Sequence, residues 1–281
     1  MKIIDAHIHT WQLADGKKNW IREKIAALQY DFTMDDFAAS VEGYDVEGAI
    51  IVQSSSDIAE TDRLLAQSAG DPRVLGITGW LDLASEEVAQ QADAYLKKPG
   101  FSGIRAESPS HFDTGWLLSD PVHRGLGVMA KKKVPVDFLM NCTQLTEFRQ
   151  IVEPVEGLVS ILDHGGRPFV MTGDTSAWKK DIQGIARNTQ CYCKLSGLAE
   201  RAGVEWTADT LEPWVSILLE EFGPERLIFA TNWPVMRLMA SPKYWIEALD
   251  TIFARAGLSH SDQQKIFADN AGQVYLRGVE Q

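Results

Sequence analysis

Eight short apolar runs rich in β-branched residues, each followed by an amphipathic helical pattern, predict an α/β fold: a closed parallel (β/α)8 barrel built from residues 1–281 as one domain. Two further observations agree with this. The runs are apolar almost throughout instead of alternating, as expected for strands covered on both faces. The length of 281 residues suits a one-domain barrel, and no low-complexity linker or shift in composition divides the chain.

The first run, Lys2–His7, is carried by Ile3, Ile4 and Ala6, and a long stretch from His9 to Asp31 with Trp11 and Trp20 follows. The second, Glu47–Gln53, contains Ala49, Ile50, Ile51 and Val52 and leads into a helical pattern over Asp57–Ala69. The third, Val74–Trp80, precedes a helix over Ser85–Lys98. The fourth, Phe101–Arg105, opens a second long stretch, Ala106–Leu118, with His111, Asp113 and Trp116. A helix over Asp120–Lys132 comes next, and the basic run Lys131, Lys132 and Lys133 reads as its solvated end. The fifth run is Val134–Leu139, followed by a helix over Thr143–Val152; the sixth is Leu158–Asp163. Cys191–Leu195 and the helix Thr207–Phe222 form the seventh unit, Leu227–Thr231 and Pro242–Ala256 the eighth. Both long stretches follow strand C-termini, where barrels of this kind place their sites, so they read as functional loops.

Composition narrows the function. A net charge of −12 argues against nucleic acid as a partner, since phosphate backbones select basic surfaces. No window approaches 18 apolar residues, so no membrane span is expected. Cys191 and Cys193 share one face of one strand, a poor arrangement for a disulfide, and with Cys142 they read as reduced thiols. A strand that begins at residue 2 leaves no room for a signal peptide, and a cytoplasmic protein is the expectation. Trp214 and Trp245 are expected in the core, His123 on the surface and His260 in a helix cap.

In a parallel barrel, polar residues at strand C-termini face one mouth. His7 and His9 are two residues apart on a strand and point the same way. The other strand ends bring Gln53, Trp80 with Asp82 beyond it, Arg105, Asp163 with His164, Lys194 with Ser196, and Asn232 with Trp233. His7, His9 and His164 suit a divalent metal, of which Zn²⁺ fits imidazoles best, or act without one by donating to a carbonyl oxygen. Asp163 is expected to orient its neighbours, because alternation turns it away from the His164 face. The planar fork of Arg105 suits a carboxylate or vicinal hydroxyls, and Gln53, Trp80, Trp11, Lys194 and Trp233 read as substrate-binding residues around it.

Seven segments, taken together and in order, resemble the amidohydrolase superfamily, in its branch of lactone hydrolases. They are Ile4-Asp5-Ala6-His7-Ile8-His9-Thr10-Trp11, Val52-Gln53, Gly79-Trp80-Leu81-Asp82-Leu83 and Gly103-Ile104-Arg105, then Leu162-Asp163-His164-Gly165-Gly166-Arg167-Pro168, Lys194-Leu195-Ser196-Gly197-Leu198 and Thr231-Asn232-Trp233-Pro234-Val235. The resemblance implies a TIM barrel of the amidohydrolase type that opens a small lactone, of a sugar acid foremost, to its hydroxy acid, with or without one divalent metal. The partner implied is a small-molecule lactone or organic acid; a homo-oligomer stays open.

At Asn232 the family carries aspartate, the general base for the attacking water. A carboxamide has no useful basicity near neutral pH, although it can orient a water. Three readings stay open: an engineered trap, a chain that activates water through a histidine or a metal, and a binder without turnover. A metal-dependent decarboxylase of an acidic aromatic, with a similar His-x-His opening, is the alternative activity.

Overall fold

Residues 1–15, 25–109 and 115–276 are described by a computed structural model. Its strands are β1 (Ile3–Ile8), β2 (Val46–Val52), β3 (Val74–Gly79), β4 (Phe101–Ala106), β5 (Val136–Phe138), β6 (Ser160–Leu162), β7 (Tyr192–Leu195) and β8 (Leu227–Phe229). They pair in parallel in chain order, and all eight occupy one sheet. Beyond β8 the two ends of the sheet meet. The Asn232 N–H donates to the His7 carbonyl (2.9 Å), the His9 N–H donates to the Trp233 carbonyl (2.7 Å), and Ile8 bridges Trp233 in parallel.

The helices are α1 (Met34–Ser40), α2 (Ile58–Gln67), α3 (Val88–Tyr95), α4 (Asp120–Lys132), α5 (Leu145–Val152), α6 (Ser176–Asn188), α7 (Ala208–Phe222) and α8 (Pro242–Arg255), one after each strand. The sequence reading did not delimit α1 and α6. The first is short but announced by a capping box, in which the Thr33 hydroxyl accepts from the Asp36 N–H and the Asp36 carboxylate accepts from the Thr33 N–H. The main core lies between the strands and α3 to α8, and includes Trp214 and Trp245 as expected. The chain then forms α9 (His260–Gln264), a π turn (Lys265–Asp269) and α10 (Asn270–Tyr275). Ser259 supplies the α9 cap, and His260 is the first residue inside it.

This C-terminal segment plugs the barrel floor. Ala268, Ala271, Val274 and Tyr275 pack against Ile4, Ala6, Ile50, Ile161, Ile228 and Ala230, whose side chains fill the interior. Such a plug buries the inner strand faces, and polar groups buried above them experience a lowered dielectric.

Strands β5, β6 and β8 are shorter than the apolar runs suggested. At β8 the reason is local: the Asp5 carboxylate accepts from the Thr231 N–H (3.0 Å) and hydroxyl (2.5 Å), and Asn232 takes a left-handed backbone at φ +61°. The ladder ends there and the chain turns across the mouth. All three cysteines are free. No helix among the described residues is long and apolar enough to cross a membrane. Trp20, His111 and Asp113 lie outside the described residues.

Candidate active site

At the C-terminal ends of the strands three imidazoles converge. His7 and His9, on one face of β1 and just beyond it, approach Nε2 to Nε2 at 3.3 Å. His164, after β6, places its ring centroid 4.6 Å from that of His7. The structure therefore brings together the three histidines that strand spacing and the mouth position suggested.

Each ring is oriented by a partner. His9 Nδ1 donates to the Val52 carbonyl at 2.8 Å, which leaves its Nε2 as the acceptor that faces His7. His164 Nδ1 lies 2.8 Å from the Ser196 hydroxyl, a group able to donate or accept, so the outer Nε2 can serve as donor or as ligand. His7 Nδ1 is 3.2 Å from the Lys194 ammonium and 3.4 Å from Asp163. When Lys194 donates to Nδ1, His7 carries its proton on Nε2 and gives it to His9; when Nδ1 carries the proton and faces Asp163 instead, Nε2 is free to serve as a ligand.

The three rings are neutral around pH 7. Burial, reinforced by the Lys194 ammonium, holds His7 well below the ordinary imidazole value. Burial with Arg105 nearby brings His9 to about 4, and burial brings His164 to about 3 against the opposing pull of Asp163. Neutral imidazoles are what a metal or a polarised carbonyl requires.

Two positions correct the sequence reading of alternation. Asp163 was expected to face away from His164. Instead donor atoms of His7, Asp163 and His164 lie within 4.8 Å of one another, all buried. His164 adopts a left-handed backbone at φ +56°, which turns its side chain back to the side that Asp163 already faces. Gly197 makes that turn possible. Its own φ is +68°, and a Cβ there would stand 2.6 Å from the Cβ of His164. Gly197→Ala is expected to destabilise the fold by about 1–3 kcal/mol through strain and overlap. Denaturant unfolding checks this; an unchanged midpoint would contradict it.

The sequence places Lys194 among the substrate-binding residues, and the structure does not. The lysine is fully buried beneath the histidines, with Nζ 2.5 Å from Asp137, 3.1 Å from Asp163 and 5.3 Å from the Tyr275 ring centre. On β7 its neighbours Cys193 and Leu195 belong to the core packed against the helices, so Lys194 points into the barrel. Burial favours a protonated Asp163, yet the Lys194 ammonium, helped by His7, holds that carboxyl well below the usual range. Burial raises Asp137 to about 6, and the Tyr275 hydroxyl donates to it.

Trp11 and Trp233, expected at the pocket, are both buried: Trp233 packs away from the histidines, while the Trp11 ring stands 6.5 Å from that of His9. Trp233 is buried between Phe32 (5.5 Å) and Phe37 (5.6 Å), under α1. It follows Asn232 by one residue and takes the opposite side of the chain. Trp11 packs on Phe32 and donates its indole N–H to the Tyr30 carbonyl. Trp80 stays at the rim, donating to the Glu107 carbonyl (2.9 Å).

Arg105 reaches Gln53 Oε1 at 3.2 Å and Glu107 Oε2 at 3.0 Å, and Gln53 Nε2 donates to the same carboxylate. Its Nε is buried and has no hydrogen-bond partner among the described residues. The sequence reading missed Glu107, although a spacing of two from Arg105 at a strand end was a usable signal. It also missed Arg167 and Glu200. Arg167 ends the turn after His164 at φ +51°, and among the described residues its guanidinium makes no hydrogen bond or ion pair. Burial lowers its pKa, with Arg201 and Arg105 adding to the effect. Glu200 accepts a 2.8 Å hydrogen bond from Asn232 Nδ2. Burial raises its carboxyl to about 7, against the opposing influence of Asn232, Arg167 and Arg201.

The donor chemistry of this cluster fits a divalent ion. His7 and His164 supply neutral imidazoles, with His9 adjoining His7, and among the described residues Asp163 is met by the Lys194 ion pair at 3.1 Å with no further hydrogen bond to either oxygen.

Comparison with known proteins agrees with this architecture. The family model for amidohydrolases matches residues 4–277. The chain belongs to that family. It is 28% identical over 235 residues to an L-fucono-1,5-lactonase from Burkholderia ambifaria, covering 84% of this chain and 81% of that protein. It is 27% identical to an L-rhamnono-gamma-lactonase from Scheffersomyces stipitis, over 98% of each chain. A solved amidohydrolase from Burkholderia multivorans with bound zinc shares the fold at a TM-score of 0.90 and 24% identity, covering 98% of this chain and 99% of that one.

Proposed function

We propose that this protein hydrolyses a small lactone of the sugar-acid type to the open hydroxy acid. The observation that carries the reading is the convergence of three neutral, buried imidazoles on one mouth above the Asp163–Lys194 pair. The two lactonases to which the chain is similar support the substrate class.

Ester hydrolysis needs a polarised carbonyl, a positioned water and a route for one proton. In the metal-free arrangement the Ser196 hydroxyl donates to His164 Nδ1, so His164 Nε2–H faces the mouth and can donate to the lactone carbonyl oxygen. That donation strengthens as the oxygen becomes an oxyanion, because the donating imidazole is buried. His9, pinned by Val52, accepts from His7 Nε2 and so steadies the His7 ring that stands beside His164. Arg167, without a partner among the described residues, meets the carboxylate that ring opening creates. A divalent ion, zinc by the preference of imidazole and carboxylate donors, would be held by His7, His164 and Asp163 and would polarise the carbonyl as a Lewis acid.

The test is proton release from a panel of 1,4- and 1,5-aldonolactones, with protein loaded with Zn²⁺ and with chelator-treated protein. Ring opening of at least one deoxysugar lactone well above its spontaneous rate is expected. No turnover of any lactone under either condition would overturn the reading. Release of CO₂ from a hydroxybenzoate instead would identify a decarboxylase.

A further inference from the structure

We infer that Glu200, held by Asn232, is the general base that takes the proton from the attacking water. The inference rests on the lactone-hydrolase reading above and assigns the step that the chain, lacking a carboxylate at 232, leaves without an obvious agent.

The argument begins with Asn232. Its backbone is tied to β1 through the hydrogen bond from its N–H to the His7 carbonyl (2.9 Å), which fixes residue 232 next to the strand that carries the histidines. Its Nδ2 is committed to Glu200 Oε1 at 2.8 Å. Once Nδ2 donates there, the amide Oδ1 is left as an acceptor, and no described residue donates to it. A water in reach of both groups donates one hydrogen to Asn232 Oδ1 and the other to the carboxylate of Glu200. The carboxamide orients and the carboxylate accepts, a division of labour that one aspartate at 232 would combine.

The surroundings of Glu200 suit that task. It sits in the short 3-10 turn Ala199–Arg201 after β7, partly buried. The charged groups that face it are Arg201 from its own turn and Arg167 from the turn after β6. Arg237, on the 3-10 turn Val235–Leu238 packed against it, lies instead over the Phe32 ring. Two guanidiniums nearby keep part of the carboxyl ionised, and burial keeps it basic enough to accept a proton near neutrality.

The step balances. Water oxygen bonds to the lactone carbonyl carbon while one water proton passes to Glu200. When the tetrahedral species collapses, the bond between the carbonyl carbon and the ring oxygen breaks. Protonated Glu200 then returns its proton to the departing alkoxide. The new carboxylic acid ionises to solvent, leaving the enzyme as it began.

The experiment compares kcat/KM against pH for the wild type, Glu200→Gln, Glu200→Asp, Asn232→Asp and the double variant Glu200→Gln/Asn232→Asp. The base must be ionised, so the wild type is expected to lose rate about tenfold per pH unit below an apparent pKa near 7. Glu200→Gln keeps an oxygen for the Asn232 amide, so a merely structural role would survive it. It is expected to lose about 10²–10⁴-fold in kcat/KM together with the acid limb. Glu200→Asp should keep the limb at a reduced rate, which guards against a folding defect in the glutamine variant. Asn232→Asp places a second carboxylate against Glu200; the pair shares a proton, the limb moves to higher pH and the rate at pH 7 falls. The double variant restores a single carboxylate and should recover part of the loss.

Glu200→Gln within threefold of wild type with its limb intact, or Asn232→Asp faster than wild type at pH 7, would overturn the assignment while leaving the lactonase reading standing. A wild type that opens no lactone overturns both.

Discussion

Lys194→Met is expected to destabilise the protein by about 3–5 kcal/mol, a large fraction of the stability of an ordinary domain. The lysine is the countercharge for two buried carboxylates, Asp137 at 2.5 Å and Asp163 at 3.1 Å, all three side chains having no solvent exposure. Methionine fills similar volume, so the loss comes from charge and not from a cavity. The direction with pH separates this cause from simple repacking. Without the ammonium, the folded-state carboxyls rise above their unfolded values. Their contribution is then favourable at pH values below the unfolded pKa and is lost as pH rises through the folded one. The deficit should therefore be larger at pH 8 than at pH 5 when both proteins are unfolded in denaturant. A loss under about 1 kcal/mol, or one independent of pH, would mean that Lys194 is not the countercharge that its geometry describes.

His164→Ala is expected to lower kcat/KM for the lactone by about 10²–10³-fold, the usual effect of removing one oxyanion donor, equivalent to about 2.7–4 kcal/mol. The ring is held from below by Gly197 and from the side by Ser196, so its outer Nε2 is a placed group and not a mobile one. Zinc content after metal loading and dialysis should fall with it, because two of the remaining donors, His7 and Asp163, are already engaged with Lys194. Ser196→Ala, which leaves the imidazole but frees its rotation, should show a smaller loss of about 10–100-fold. Activity within threefold of wild type in His164→Ala would remove this residue from the mechanism.

The barrel was legible in the sequence because its signal is repeated. Eight apolar runs with helical patterns between them leave few other ways to bury both faces of so many strands. Even the misjudged ends, such as β8 stopping at Phe229, trace to local causes: the Asp5 carboxylate captures Thr231, and Asn232 turns left-handed. The histidines were legible for the same reason. His7 and His9 lie on or beside a strand whose alternation is regular, and a strand C-terminus in a parallel barrel has one mouth to face.

Residues beyond the regular strands followed other rules. Asp163 and His164 share one side because His164 has positive φ, which neither spacing nor composition announces. Glu200 sits on a 3-10 turn after β7, where no period of two or of 3.6 applies, and its value lies wholly in its contact with a residue 32 positions later. Lys194 carries a surface residue's chemistry but an interior residue's register. Only the presence of Asp137 and Asp163 across the barrel decides which prevails.

The sequence alone thus determined the barrel and the histidines gathered at the mouth formed by its strand C-termini, since these depend on periodicity and chain direction. The tertiary structure decided which charges pair beneath the histidines, which tryptophans withdraw into the core and which carboxylate meets Asn232. Those outcomes depend on distances between residues far apart in the chain and on backbone angles at single positions, and neither is written in a local pattern.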